Sequence, residues 1–387
     1  MLKKGKSAKN PSHHRRITIT AIVGKVVELH IRTFSQPHLD AKQSSHQFGF
    51  SPQVSPSHAA LVVTEIQADA KDNSTPLILT FLDTSKAFDV VDFSSMLNAL
   101  HQQGIHGTLW RLFEDMYTDI RSVVRWKGTT SEPLYEGQGI RQGGTTSTDK
   151  YKSGKNLLLS RLDTEPSLTL GSINVGSIMV ADDLVLAAHD KFTMQLALNI
   201  TQHDACRERY KFNQDKTKVI SYNMPEPELY LYSKPLGTST SEPHLGIIRT
   251  AANNNIEAVD AKVKSSRQCT FSLKNAGYYG LSGTGPEATI LKYRSMIIPT
   301  LLYGIEALVL TDKELSTLTA YHRQTLRCLQ HFPTSTAVPA LHLLSGVAPV
   351  EALLDIRILT FFRSSVAIDP DNPPLTFIRR LVTPVSY

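Results

Sequence analysis

The stretch "IMVADDLVLAA", residues 178–188, sets two adjacent aspartates in the middle of an apolar run. Burying a carboxylate without a partner is costly, and two side by side repel one another. Successive residues of a strand face opposite sides of a sheet, so Asp182 and Asp183 cannot both point one way from a regular strand. They can converge at a tight turn. "SIMVA" and "LVLAA" supply two arms, and aspartate tolerates turn geometry, so the stretch predicts a β-hairpin with both acids at its tip. Taken alone, such a tip is equally an acidic surface turn.

A third acid changes the balance. In "STPLILTFLDTSKAFDVVD" (74–92), Leu77 to Leu82 form an apolar or β-branched run bounded by Pro76 and a polar turn, which reads as a buried strand closed by Asp83. A carboxylate ending one buried strand, beside a hairpin carrying two more, gives three acids able to hold Mg²⁺. Hard cations want oxygen ligands and need few from the protein when a substrate adds phosphate oxygens. Two such ions about 4 Å apart can activate a hydroxyl and stabilise a leaving oxygen in phosphoryl transfer.

The bulk composition sets the limits of that reading. The chain has 387 residues, enough for two or three domains or one large enzyme with appended parts. It is 41% hydrophobic and 20% charged, as in ordinary globular proteins. The net charge of +6 is matched by the first 16 residues alone, where Lys3, Lys4, Lys6, Lys9, Arg15 and Arg16 stand without an acid. Such a tail suits loose phosphate contact, or merely solubilises a disordered end. The 3 cysteines are far apart and form no CxxC pair, which argues against a disulfide framework or a zinc site and for a reducing compartment. No apolar signal core opens the chain, so it is not expected to be secreted, and its location, nuclear or cytoplasmic, stays open. "MIIPTLLYGIEALVL" (296–310) is too short for a membrane span and carries Pro299 and Glu306, so a buried helix is expected there.

Between these landmarks the pattern is mixed. Residues 59–70 read as a helix with Ala60, Val63, Ile66 and Ala70 on one side. "SSMLNALHQQG" reads as a helix with a serine cap that stops at Gly104, and Leu109, Leu112, Phe113 and Met116 give the next one an amphipathic face. "IRSVVRWKG" and "SEPLYEGQGI" suggest a strand pair. A glycine-rich loop at 137–144 precedes a helix over about 148–162, a further helix lies near 191–210, and "KTKVISYN" (216–223) reads as a strand. From about residue 255 the chain turns helical. The fold class is therefore α+β with an α-helical tail.

At this point the residues carry a resemblance. "FLDTSKAFDVVD", "GQGIRQGGTTSTD", "MVADDLVLAA", "FNQDKTKVI" and "HLGI" occur in that order and at suitable spacings, and together resemble the palm motifs of reverse transcriptases from non-LTR (LINE-type) retrotransposons. The resemblance covers roughly residues 14–250. It implies a right-hand polymerase: a basic disordered tail at 1–13, partial fingers at 14–75, a palm with an antiparallel sheet at 76–250, and a helical thumb and C-terminal connection at 251–387. It implies RNA-directed DNA polymerase activity on an RNA template and DNA primer with deoxynucleoside triphosphates, two Mg²⁺ ions that Mn²⁺ can replace, and no membrane or zinc. The alternative is an inactive remnant that folds and binds nucleic acid without turnover.

The same resemblance assigns roles. Asp83, Asp182 and Asp183 are implied as the catalytic metal-binding triad, Asp83 and Asp182 being the firmest ligands. Phe88 stands at the steric gate against the nucleotide 2′-hydroxyl, with a plain core aromatic as the competing reading. Gln142, Gly143 and Gly144 match the loop that approaches the template base pair, Lys216 a lysine near the triphosphate, and "HLGI" (244–247) the hairpin that grips the primer end. Lys262, Lys264, Arg267 and Lys274, in a helix over 255–275, suit either a phosphate-tracking face or a solvated one.

The departures are specific. Val180 stands where many polymerases carry an aromatic before "ADD", and "TTS" follows the loop glycines in place of "LSP". In "GFSPQVSPSH" (49–58), Ser51 to Ser57 hold no basic residue, although the family usually has an arginine there, the natural clamp for triphosphate oxygens. "HHRRITITAIVGK" resembles a finger motif met only some way into the family's fingers. With no room upstream for an endonuclease and no C-terminal Cys/His cluster, a truncated copy with weakened nucleotide binding is expected.

Overall fold

The structure is a computed structural model that describes residues 7, 9, 13, 14, 17–279 and 283–366. Most of the basic tail expected over 1–13 lies outside the described residues.

Helices α1 (Ile22–Asp40) and α2 (Pro56–Asp72) precede strand β1 (Leu77–Leu82), and α3 (Phe93–Gln102) and α4 (Gly107–Asp115) follow it. Four short strands come next: β2 (Arg121–Ser122), β3 (Arg125–Trp126), β4 (Thr129–Thr130) and β5 (Leu134–Tyr135). They pair β2 with β5 and β3 with β4, both antiparallel. Helix α5 (Ser147–Asp163) leads through β6 (Thr169–Leu170) and β7 (Ile173–Asn174) to β8 (Ser177–Val180), β9 (Asp183–Ala188) and helix α6 (Lys191–Arg207). Then follow β10 (Lys218–Tyr222), β11 (Tyr230–Leu231), β12 (Lys234–Pro235), β13 (Gly237–Thr238), β14 (Ser241–His244) and β15 (Ile247–Thr250). The remainder is helical: α7 (Ile256–Asn275), α8 (Pro286–Lys292), α9 (Ile298–Leu302), α10 (Asp312–Gln330), α11 (Val338–Ser345) and α12 (Val350–Val366). A five-stranded sheet has the order β13-β10-β1-β9-β8.

The chain divides into two compact units. One comprises Met1–Pro52, Leu79–Lys218 and Pro227–Gly237. In it Ala87, Met96, Tyr117, Ile120, Ile140 and Tyr151 form one buried cluster, and Ile31, Leu39, Leu100, Ile105 and Phe113 another. The other comprises Gln53–Ile78, Val219–Glu226 and Thr238–Tyr387. Its buried clusters include Leu301, Leu302, Ile305 and Leu318, and separately Tyr293, Ile297, Leu326 and Leu341.

The strand read over Leu77–Leu82 forms with those bounds, because six consecutive strand-favouring side chains need burial on both faces. "HLGI" is a hairpin as expected: β14 and β15 pair antiparallel with His244 opposite Ile247. Three local readings are corrected. Helix α3 is capped by Asp92, whose side chain accepts from the Ser95 N–H at 2.9 Å, and the serines lie inside the helix. The segment 296–310 is buried at Ile297, Leu301, Leu302 and Ile305 but is not one helix. It runs through a widened turn (Tyr293–Ile297), α9 and a short 3₁₀ turn (Ile305–Ala307), because Pro299 cannot donate and Gly304 takes a left-handed φ of 80°. Among the described residues no helix is long and apolar enough to cross a membrane. Lastly, Lys262 of α7 is not on a solvated face: it is buried, with Nζ 4.7 Å from the centre of the Tyr303 ring.

Helix α5 buries several of its charged side chains, Asp149, Lys150, Lys152 and Lys155. Asp149 pairs with Arg32 at 3.0 Å, with Lys152 at 3.9 Å from its other oxygen. Lys150 donates to the Tyr117 hydroxyl at 3.2 Å. The Lys155 ammonium lies 3.3 Å from the centre of the Tyr210 ring, a cation–π contact. Burial pulls both Lys150 and Lys155 down to about 8.

Candidate active site

The hairpin forms as the opening stretch predicts, with one difference in register. Val180 pairs with Asp183, so the turn is Ala181–Asp182, and Asp183 is the first residue of β9 and not part of the tip. Below it Ile178, Met179, Leu184, Val185 and Leu186 are buried, which anchors both arms. Two-residue hairpin turns require positive φ at the first central residue, a role usually taken by glycine. Here Ala181 takes it, with φ 61°.

Asp83 follows directly on β1 and meets this turn. The Thr84 hydroxyl donates to the Asp182 carbonyl at 3.3 Å, linking the two loops. Asn213 N donates to the Asp83 carbonyl at 2.8 Å, and Lys216 Nζ lies 2.9 Å from Asp83 Oδ2. Asp83, Asp182, Asp183 and Lys216 thus form one locus. Its electrostatics are legible at Asp183, whose carboxyl is pushed up to about 6 by partial burial, then by the charges of Asp182 and Asp83, with Lys216 opposing. The three carboxylates are neighbours but do not converge: among the described residues no three His, Cys, Asp or Glu side chains stand close enough to ligate one ion. Three like charges repel, and Asp83 leans on Lys216.

A second locus adjoins the first. Phe88 stacks on Tyr151 with ring centres 4.5 Å apart and planes at 16°, and the Phe50 ring meets it edge-on at 6.2 Å. Asp182 and Asp183 both act on the Tyr151 hydroxyl, holding it up further after burial has already raised it. Phe88 also packs with the buried cluster around Met96 and Ile140, so its core and site readings coexist. Its carbonyl accepts from Ile140 N at 2.7 Å, which ties the loop of residues 137–144 to it. In that loop Gln142 Nε2 is 3.5 Å from Asp89 Oδ1. Gly143 has a φ of 119°, and a Cβ there would meet the Thr18 carbonyl at 3.1 Å, so any side chain there is strained.

Sequence reasoning passed over two groups. Tyr151 backs Phe88, and the segment His46–Phe48 lies along β8, with Phe48 N donating to Met179 O at 2.8 Å and Met179 N to His46 O at 2.9 Å. "QFGF" carries no strand periodicity, so the only signal available was its pair of aromatics around a glycine.

The reverse transcriptase (RNA-dependent DNA polymerase) family profile matches residues 2–267, more than half the chain. The Pol polyprotein of type-2 retrotransposable element R2DM from Drosophila melanogaster is 24% identical over 214 residues, 55% of this chain and 20% of that protein. A Pol polyprotein of type-1 retrotransposable element R2 from Nasonia vitripennis is 29% identical over 126 residues, 32% of this chain and 12% of that protein. One from Popillia japonica is 22% identical over 355 residues, 85% of this chain and 47% of that protein. The chain thus spans less than half the length of these relatives. Among solved structures, telomerase from Candida tropicalis in complex with a TWJ fragment of telomeric RNA aligns at a TM-score of 0.44 and 11% identity, over 91% of this chain and 56% of that one. Matched by that profile over more than half its length, the chain belongs to the reverse transcriptase (RNA-dependent DNA polymerase) family.

Proposed function

We propose that this domain copies an RNA template by joining deoxynucleoside triphosphates to the 3′-hydroxyl of a DNA primer. The observation that carries the reading is the meeting of Asp83 with the Asp182–Asp183 turn, linked through Thr84 and Asp182 at 3.3 Å. Residues 76–250 serve as palm, 14–75 as partial fingers and 251–387 as thumb and connection.

The donor set fits hard divalent cations in its chemistry, three carboxylates at least partly exposed, whose mutual repulsion a cation would offset as it drew them together. Asp83 and Asp182, helped by Asp183, would hold Mg²⁺, as two ions, with Mn²⁺ able to replace them. Bound there, the cations supply a more acidic primer hydroxyl and charge neutralisation at the transferring phosphate. The protein's own part is positioning. Phe88, held between Phe50 and Tyr151, excludes a 2′-hydroxyl from the sugar site. Gly143 lets the backbone of the 142–144 loop lie against the new base pair. Lys216 exchanges its contact with Asp83 for a triphosphate oxygen when nucleotide enters.

A second reading, a folded remnant without turnover, is favoured by one observation: Ser51 to Ser57 carry no basic residue to clamp the triphosphate. Primer extension on an RNA template with Mg²⁺ or Mn²⁺, beside Asp182→Ala, tests both. Extension that falls by about 10³-fold or more in the variant supports the polymerase. Template binding alike in both proteins, with extension in neither, supports the remnant.

A further inference from the structure

We infer that Gln47 is a positioning residue for the aspartate turn: its side-chain amide holds Ala181 in the left-handed conformation that fixes where Asp182 stands. The inference rests on the catalytic reading of Asp182 given above. A non-glycine residue in that conformation is sterically strained by its Cβ, so the surrounding structure must over-determine it.

Gln47 does so from both sides. Its Oε1 accepts from Ala181 N at 3.0 Å and from Gly49 N at 2.8 Å, and its Nε2 donates to Ala181 O at 3.4 Å. Both backbone polar groups of the residue before Asp182 are therefore taken by one side chain, itself fully buried. The amide cannot drift, because the segment carrying it is fixed along β8. His46 and Phe48 bond Met179 through the backbone, and the His46 ring contacts Ser177 O at 2.7 Å. The Ser51 hydroxyl closes the segment on Gln47 O at 2.8 Å. Gly49 completes the fit. A Cβ there would lie 2.0 Å from Ala181 N, so any side chain would drive the turn outward.

The competing account is a buried glutamine that merely satisfies its own amide and contributes only to stability. The two separate by experiment. Gln47→Met keeps the volume and removes all three hydrogen bonds; Ala181→Gly adopts positive φ without steric cost. Amide hydrogen exchange, Mn²⁺ binding by electron paramagnetic resonance, and kcat and KM for primer extension are measured on wild type, Gln47→Met and the double variant. Net hydrogen-bond values imply, for Gln47→Met, amide exchange at residues 181–183 about tenfold faster and Mn²⁺ binding about tenfold weaker. A fall in kcat of similar size is expected while KM for nucleotide stays within about twofold, and Ala181→Gly restores most of each loss. Should Gln47→Met lower only the melting temperature, or should Ala181→Gly restore nothing, the positioning role is overturned. If Asp182→Ala leaves wild-type Mn²⁺ binding unchanged, the catalytic reading fails instead, and exchange at residues 181–183 still decides whether Gln47 holds the turn.

Discussion

Lys216 Nζ lies 2.9 Å from Asp83 Oδ2, so the carboxylate that meets the hairpin is already engaged by a cation of the same chain. Lys216 also opposes the charges that push Asp183 up to about 6. Removing it as Lys216→Met raises Asp183 further. The ionised carboxylate is the form able to bind cations, and it is lost as pH falls through the folded value. The expected result is that the acid limb of Mn²⁺ binding moves to higher pH in the variant. Titration of binding between pH 5 and 8 reads it directly, and an unmoved limb counts against the pairing.

The stretch Ser51–Ser57 is without a basic residue. Ser51 follows Phe50, whose ring meets Phe88. Ser51→Arg places a guanidinium one residue from that contact, and a charge-assisted bond to a triphosphate oxygen contributes about 1.5–3 kcal/mol. KM for deoxynucleotide should therefore fall by about tenfold or more, measured by steady-state extension.

Phe88 gives a sharper specificity test. Replacing it as Phe88→Val opens the space beside Tyr151, on which the ring now stacks. Ribonucleotide incorporation relative to deoxynucleotide should rise by about 100-fold, a discrimination of about 2.7 kcal/mol. If the ratio does not change and only stability drops, Phe88 is a core residue.

Lys155 has its ammonium buried on the Tyr210 ring, with burial lowering it to about 8. The native state therefore carries the desolvation cost below pH 8, and the cost fades as pH rises from 8 toward the ordinary lysine value, where the unfolded chain still binds the proton. Lys155→Met removes it at all pH. The variant should be more stable at pH 7 by about 1–3 kcal/mol, with a flatter rise in urea midpoint between pH 7 and 9.5.

Three buried histidines set the acid side. His58 and His322 are lowered to about 4, and His244 to about 3, in each case first by burial. Their folded values lie below the unfolded one, so their stability is fully present above about 6.5 and is lost as pH falls through the folded values. Thermal melts should show a steep loss between pH 6.5 and 4, shallower in His58→Gln, which keeps a polar side chain near Ser365 Oγ, now 3.1 Å from the ring.

Much of this was open to reading along the chain, for local reasons. Leu77–Leu82 forms a strand because no solvent-facing alternation interrupts it, and Asp83 ends it because a charge cannot continue into the sheet. The hairpin was legible because two apolar arms flank two acids. Its register was not: placing Asp183 in β9 and Ala181 at positive φ depends on how β8 and β9 pair, which the arms alone leave free by a residue. Nothing local announces the rings that receive Lys150, Lys155 and Lys262.

The sequence by itself determined the family, the α+β class and the order of the motifs, because these depend on residue type and spacing. Only the tertiary structure decided which groups meet: Lys216 with Asp83, Tyr151 with Phe88, and Gln47 with Ala181. Those partners lie 133, 63 and 134 residues apart by their own numbers, and contacts at that range follow from chain topology and packing, on which local propensity is silent.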